Sequence, residues 1–260
     1  MTGNKRRRGV VLQDRDKHLL TELGVMRIID REATKLVAGF GSTTQVNTRL
    51  LELNRAGLLR RFFVGTLSSG RKAVYTLSPK GADLVSAKLG GIGRAKSKLV
   101  VGDRFIEHQS GINQIYLAVK YQPGPPAGTR VVRWLPFRQS ISEAIKLMPD
   151  AYFELATSEN TRAMFLEVDL GTEALSVWKQ KIACYLQLAL SGDFPKRFRQ
   201  MQFRVLVVAD SERRLANIRM AVAKSTDKIF WFSTLEFINR HGIWSPVWLR
   251  PSGDQRQSLV

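Results

Sequence analysis

The chain has 260 residues, of which 44% are hydrophobic, and this is enough apolar material for a folded core in one or two domains. It contains 41 Lys and Arg against 22 Asp and Glu, so its formal net charge is +19. Such a charge predicts a polyanionic partner, with nucleic acid ahead of an acidic membrane surface. No apolar run reaches the roughly 18 residues of a membrane-spanning helix. The single cysteine, Cys184, excludes an internal disulfide and a cysteine-based zinc site, and we expect a cytoplasmic protein.

The positive charge is concentrated in the first two-fifths of the chain. Residues 1–100 contain 20 basic and 7 acidic residues, a net charge of +13, whereas residues 101–260 contain 21 and 15, a net charge of +6. The segment Gly-Gly-Ile-Gly-Arg-Ala-Lys-Ser-Lys, which begins at Gly90, is small and polar and predicts a linker. The predicted organisation is a basic disordered arm (1–12), a first domain (13–90), a linker (91–98), a second domain (99–250) and a tail (251–260).

Three segments of the first domain are predicted to be helical. Residues 14–25 and 30–38 carry apolar side chains at helical spacing, and Gly24 is the expected end of the first helix. Ser42 lies three residues before Gln45, a spacing that predicts a capped start for a third helix.

A β-hairpin and a short helix are predicted to follow. Residues 60–64 and 73–77 are rich in aromatic and β-branched residues and enclose a Gly-bounded basic tip at 65–72. The tip resembles a phosphate-binding loop, but Arg71 occupies the lysine position and the loop joins two strands, so we exclude nucleotide binding there. Pro79 predicts the start of a fourth helix.

This order of elements, together with Arg49 to Leu53 and Tyr75 to Gly81, resembles a winged helix-turn-helix domain. The resemblance implies an α+β fold that binds double-stranded DNA, with the N-terminal turn of the third helix in the major groove and the hairpin on phosphates. Amide side chains can pair with adenine and arginine with guanine. The candidate base-reading residues are Thr43, Thr44, Gln45, Asn47, Thr48 and Arg49. The candidate phosphate contacts are Arg60, Arg61, Arg71 and Lys72. The alternative is a domain that mediates only protein contacts.

The second domain is predicted to alternate helices and strands. The expected elements are a helix in 99–121, strands at 131–137, 151–155 and 164–170, a helix from 171 to 190, a strand at 202–209, a helix at 211–223 and a strand at 228–232, followed by a short helix and a final apolar run at 243–249. This order of helix, three strands, helix and strand indicates an α/β domain.

Two acidic motifs lie on the predicted strands. Asp150 follows Pro149 at the start of one strand, and Glu167 and Asp169 lie near the end of the next, where a spacing of two places both side chains on one face. The motifs and the strand order resemble the PD-(D/E)xK nucleases, which have a restriction-endonuclease-like fold. The resemblance implies that Asp150 and Glu167 bind Mg²⁺, or Mn²⁺ in its place, for phosphodiester cleavage.

The lysine of that nuclease motif is replaced by Asp169, and Lys181 on the following helix is the candidate substitute. Glu107, on the first helix of the domain, is a further candidate metal ligand. The candidate catalytic residues are therefore Asp150, Glu167, Asp169 and Lys181. The alternative is a non-catalytic ion-pair network of Glu167 and Asp169 with Lys179 and Lys181.

Taken together, the winged helix, Pro149-Asp150, the motif from Phe165 to Asp169, and Lys181-Ile182 with Tyr185 resemble the plasmid replication-relaxation family over residues 13–250. The resemblance implies a DNA-binding protein of a plasmid or mobile element that acts in replication or DNA relaxation, with metal-dependent nicking as a candidate activity. One alternative is a catalytically inactive regulator of transcription or replication whose second domain forms a homodimer or binds a partner. A nuclease of a defence system is a third.

Overall fold

A computed structural model describes residues 10–65, 70–87 and 103–260. Most of the predicted basic arm (1–9), the centre of the predicted hairpin tip (66–69) and the predicted linker (91–98) lie outside the described residues. The chain divides into two compact units, Met1–Ser110 and Gly111–Val260.

The first unit combines helices with a small sheet. Its elements are α1 (Asp14–Met26), β1 (Ile29–Asp30), α2 (Arg31–Val37), α3 (Thr43–Arg55), β2 (Leu59–Gly65), β3 (Arg71–Leu77) and α4 (Pro79–Leu84), and the boundary between the units falls within α5 (Asp103–Lys120). The sheet is antiparallel in the order β1-β3-β2. The hairpin is therefore present as predicted, with the two-residue strand β1 added along β3.

Side-chain caps define where two helices of the first unit begin. The Ser42 hydroxyl accepts the backbone N–H of Gln45 at 3.3 Å, as the sequence predicts, and the Ser78 hydroxyl accepts that of Gly81 at 2.9 Å. Each cap satisfies an N–H group that the first helical turn leaves without a partner, and such caps typically contribute about 1 kcal/mol. The Ser42 cap thereby determines which residues form the first turn of α3.

The prediction that Gly24 ends the first helix is wrong. The helix α1 continues to Met26 because the side chains of Leu23 and Met26 are buried in the core of the unit. Gly24 serves close packing instead, since a Cβ atom there would lie 2.9 Å from the Cβ of Ala87. The helix ends at Arg27, whose φ is 66°.

The second unit contains one five-stranded sheet with helices. After α5, its elements are β4 (Arg130–Pro136), β5 (Ala151–Ala156), β6 (Thr161–Asp169), α6 (Leu175–Leu190), α7 (Asp193–Phe198), β7 (Phe203–Ala209), α8 (Glu212–Ala223), β8 (Phe230–Thr234) and α9 (Leu235–His241). The predicted order is present, with the short helix α7 added. The helix α6 begins at Leu175 rather than Gly171, because Gly171 adopts a φ of 76° in the preceding turn. Among the described residues, no helix is long and apolar enough to cross a bilayer.

The order of the strands brings the acidic motifs to one edge of the sheet. The strands lie in the order β4-β5-β6-β7-β8; β4 and β6 are antiparallel to β5, and β6, β7 and β8 are parallel. One face of the sheet packs on α6 and α8, and the other on residues 112–119 of α5 and residues 243–248. Asp150 precedes β5, which is antiparallel to β6, so Asp150 lies at the same edge as Glu167 and Asp169.

Candidate functional site

The N-terminal half of α3 presents polar side chains to solvent. Val46, Leu50 and Leu53 are buried and anchor one face of the helix in the core of the first unit. The predicted base-reading residues divide by exposure: Thr43 is half-buried, and the exposed ones are Thr44, Gln45, Asn47 and Thr48. Their amide and hydroxyl groups can donate and accept hydrogen bonds, so this surface has the chemistry that base-edge contacts require.

Arg49 is engaged inside the fold. Its guanidinium donates to both carboxylate oxygens of Asp16 and to Glu52, at 2.7 Å from Glu52 Oε2, and its side chain is only 14% exposed. Burial would raise the pKa of Asp16, but the hydrogen bond from Arg49 and that from the backbone of Gln13 hold this pKa below its usual range. A base contact by Arg49 would require this pairing to break, and the predicted contact stays a prediction.

The hairpin divides its basic residues between two faces. Arg71 pairs in register with Gly65, and Arg61 lies four residues before Gly65 on the same strand, so Arg61 and Arg71 share one face. Both are exposed, and the Arg61 guanidinium lies 5.0 Å from the centroid of the Phe63 ring. Lys72 points to the opposite face and forms an ion pair with Asp30.

Arg60 lies next to Arg61 on β2, on the opposite face of the strand, and is half-buried. Its predicted contact with phosphate stays a prediction. The side chains of Arg61 and Arg71 are more exposed than that of Arg60.

The second cluster centres on Glu167, which is 1% exposed. Tyr185 donates its hydroxyl to Glu167 Oε1 at 2.6 Å, and the Lys181 ammonium donates to Oε2 at 2.9 Å. Lys181 also lies 2.8 Å from Glu173 Oε2. Lys181 and Tyr185 lie four residues apart on α6 and therefore face the sheet together. The predicted proximity of Lys181 to the acidic strand end is thus present.

Charges and burial perturb the pKa values of this cluster. Burial, together with the nearby charge of Asp150, raises the pKa of Glu167 from 4.5 to about 7, although Lys181 opposes that rise. The carboxylates of Glu167 and Glu173 raise the pKa of Lys181 in spite of its burial. Burial and the charge of Glu167 also raise the pKa of Tyr185.

Asp169 faces the same helix as Glu167 but has different partners. Its carboxylate accepts two hydrogen bonds from Arg214, each 2.7 Å long, one from the Trp178 indole at 2.6 Å and one from the backbone of Gly171 at 2.7 Å. These contacts hold the pKa of Asp169 low even though burial alone would raise it. The predicted catalytic role of Asp169 has no support in these contacts, because all of its acceptor positions serve the fold.

The predicted metal ligands are only partly assembled. Asp150 Oδ2 accepts the backbone N–H of Val168 at 2.7 Å, and both oxygens of Glu167 already have donors. Within the described residues, no group of three or more His, Cys, Asp or Glu side chains could hold a metal ion. Lys181 and Tyr185 thus occupy both oxygens of Glu167, and the binding of Mg²⁺ by Asp150 and Glu167 stays a prediction. Glu107 is exposed on α5 in the first unit, and its role stays a prediction.

Reasoning from the sequence missed Glu173 and Arg214. Glu173 lies in the turn before α6, and Arg214 lies in the first turn of α8, directly after the parallel neighbour of β6. Helices that follow parallel strands begin at the same edge of a sheet, so this rule could have predicted that Arg214 lies next to Asp169.

Comparison with known proteins gives a family assignment. A solved structure that matches, a crystal structure of Bacillus subtilis PadR in complex with operator DNA, has 16% identity and a TM-score of 0.22 over 38% of this chain and 66% of that chain. At that score the match supports no conclusion about fold or function. No curated protein matches the chain significantly. The sequence profile of the replication-relaxation family matches residues 15–200, well over half of the chain. The chain therefore belongs to the replication-relaxation family.

Proposed function

We propose that this protein acts in the replication or relaxation of a plasmid or other mobile element by binding its duplex DNA. The binding element is a winged helix-turn-helix formed by α1–α4 and β1–β3. The observation that carries the proposal is the exposed polar start of α3 in the same unit as the basic hairpin. A recognition helix uses its first turns to contact base edges, and here those turns expose Gln45 and Asn47.

The basic hairpin supplies the complementary electrostatic contact. Arg61 and Arg71 share one exposed face, and neither forms an ion pair among the described residues. Phosphate contacts provide most of the sequence-independent affinity for DNA, and the net charge of +13 over residues 1–100 suits that role.

Selection of duplexes from a random-sequence 30-base-pair library, followed by affinity measurements on the selected duplex, tests this proposal. We expect Gln45→Ala and Asn47→Ala each to weaken binding by about 1–3 kcal/mol and to relax sequence preference at single positions. Arg55→Gln is the matched control, because Arg55 is exposed at the far end of α3, about 18 Å from Thr43. Equal affinities for all three variants and the wild type would contradict the proposed docking.

Phosphodiester cleavage is a second candidate function, favoured by one observation. Lys181 contacts Glu167, and Asp150 accepts the backbone N–H of Val168, the residue after Glu167, so all three lie at the same end of β6. Nicking of supercoiled plasmid in Mg²⁺ or Mn²⁺ tests this function. Cleavage that is lost in Asp150→Ala but kept in Glu159→Gln, an exposed control, would support it. The absence of cleavage by the wild type would favour the non-catalytic regulator.

A further inference from the structure

A polar cleft lies at the opposite end of β6 from Glu167. It has a volume of about 520 Å³ and is lined by residues 160–163 and 200–204, between the β5–β6 turn and the start of β7. Along a strand, Arg162 and Glu167 are about 16 Å apart, so the cleft is separate from the acidic cluster. Clefts that bind small ligands usually measure roughly 300–1,000 Å³, and a nucleotide fits this range.

Two of the residues that line the cleft, Arg162 and Arg204, are arginines with the same hydrogen-bond acceptor. The guanidiniums of Arg162 and Arg204 both donate to the backbone carbonyl of Leu259, with Arg162 at 3.2 Å. Within the part of the chain that the structure describes, neither forms an ion pair with Asp or Glu. Half-buried guanidiniums are normally paired with an anion, because burial without a counter-charge is costly.

The Arg204 guanidinium is held in a fixed orientation. It stacks over Trp231 at 4.3 Å from the ring centroid, and Arg250 stacks over the same ring at 4.7 Å. Burial, followed by the charges of Arg162 and Arg250, lowers the pKa of Arg204 to about 10. A bound anion would relieve this repulsion, and an oriented guanidinium fork suits the oxygens of a phosphate.

The rest of the cleft offers amide side chains. Asn160, Gln200 and Gln202 line it, and the structure describes no hydrogen bond from the side chain of any of them. Each carries both donors and acceptors, as do the edges of an unpaired base. Met201 is 81% exposed beside them and offers a soft apolar surface to a base.

We propose that this cleft binds the phosphate and base of an unpaired nucleotide, with Arg162 and Arg204 on the phosphate and the amide side chains at the base. This is a second nucleic-acid site, independent of α3 and the hairpin. A free mononucleotide and a nucleotide within a single strand carry the same phosphate, and the test separates these two sources.

The test measures fluorescence anisotropy of a labelled pentathymidylate with the full chain. We expect Arg162→Gln and Arg204→Gln each to weaken binding about tenfold or more, since each removes a charge-assisted hydrogen bond to phosphate. Arg197→Gln, which removes an equal charge from an exposed position of α7, should stay within about twofold. The effect of Arg162→Gln should persist in the background of Arg61→Gln/Arg71→Gln, which separates this site from the proposed duplex surface.

Competition with thymidine 5′-monophosphate and with inorganic phosphate identifies the source of the phosphate. If thymidine 5′-monophosphate competes with the pentamer, the ligand of the cleft is a free nucleotide. If only the pentamer binds, the ligand is a nucleotide within a single strand. Either result supports the proposed site. Circular dichroism checks folding; if Arg204→Gln does not fold, Arg162→Gln decides. The proposal is overturned if the wild type does not bind the pentamer, or if folded Arg162→Gln binds it with unchanged affinity.

Discussion

Glu167→Gln tests the electrostatic account of the acidic cluster. The amide matches the size of the carboxyl group and retains an oxygen for the Tyr185 hydroxyl, so packing around the side chain changes little. The substitution removes a group whose pKa in the folded protein, about 7, lies above its ordinary value of 4.5. Its main effect should therefore be on how stability depends on pH.

The direction of this dependence follows from proton binding. Between pH 4.5 and 7 the folded chain retains the Glu167 proton that the unfolded chain has lost, so the wild type loses stability as the pH rises. The stabilisation is complete below pH 4.5 and is lost as the pH rises through 7. At roughly 1.4 kcal/mol for each pH unit between the two pKa values, the loss is about 3 kcal/mol. Lys181 stays charged over this range, because its own pKa is raised.

Urea unfolding followed by tryptophan fluorescence provides the assay. All five tryptophans, the first of which is Trp134, lie in the second unit, so their emission reports its unfolding. The difference in free energy of unfolding between the wild type and Glu167→Gln should fall by about 3 kcal/mol from pH 4.5 to 8. Other titrating groups cancel in this difference, and the exposed control Glu159→Gln should show no trend. A flat difference for Glu167→Gln would refute the raised pKa.

Two further predictions concern the first unit, which circular dichroism can follow. Arg49→Gln leaves Asp16 buried without its cation and should cost about 3–5 kcal/mol of stability; a cost below about 1 kcal/mol would contradict the structural role of Arg49. Gly81→Ala places a Cβ atom 2.1 Å from the carbonyl oxygen of Leu58. The backbone must then shift, and we expect the free energy of unfolding to fall by about 1–3 kcal/mol. The control Gly65→Ala, which has open space around its Cβ position, should change the free energy of unfolding much less. Equal effects of the two glycine substitutions would contradict the close approach.

Local signals in the sequence were sufficient for most elements. The Ser42 cap and the alternating burial of β2 depend on residues a few positions apart, so both α3 and the hairpin could be predicted. The contact between Lys181 and Glu167 could also be predicted, because α6 follows directly from the end of β6. The helix α7 was missed because it is only six residues long and contains Pro195.

Contacts between residues distant in the chain could not be predicted from the sequence. The partner of Arg49, Asp16, lies 33 residues earlier, and the partner of Asp169, Arg214, lies 45 residues later. Residues so far apart in the chain form no periodic pattern from which their pairing could be predicted. The sequence therefore suggested ligand contacts for a basic residue on α3 and an acidic residue on β6, whereas the fold pairs each with an opposite charge.

The salt dependence of duplex binding tests the central claim most directly. The logarithm of the binding constant falls with the logarithm of salt concentration by about 0.9 for each phosphate contact. Arg61→Gln/Arg71→Gln should make this slope shallower by about 1.8. Lys72→Gln, which removes a charge already paired with Asp30 on the opposite face of the hairpin, should change the slope much less. An unchanged slope in the double variant, or an equal effect per charge of Lys72→Gln, would contradict the proposed docking on DNA.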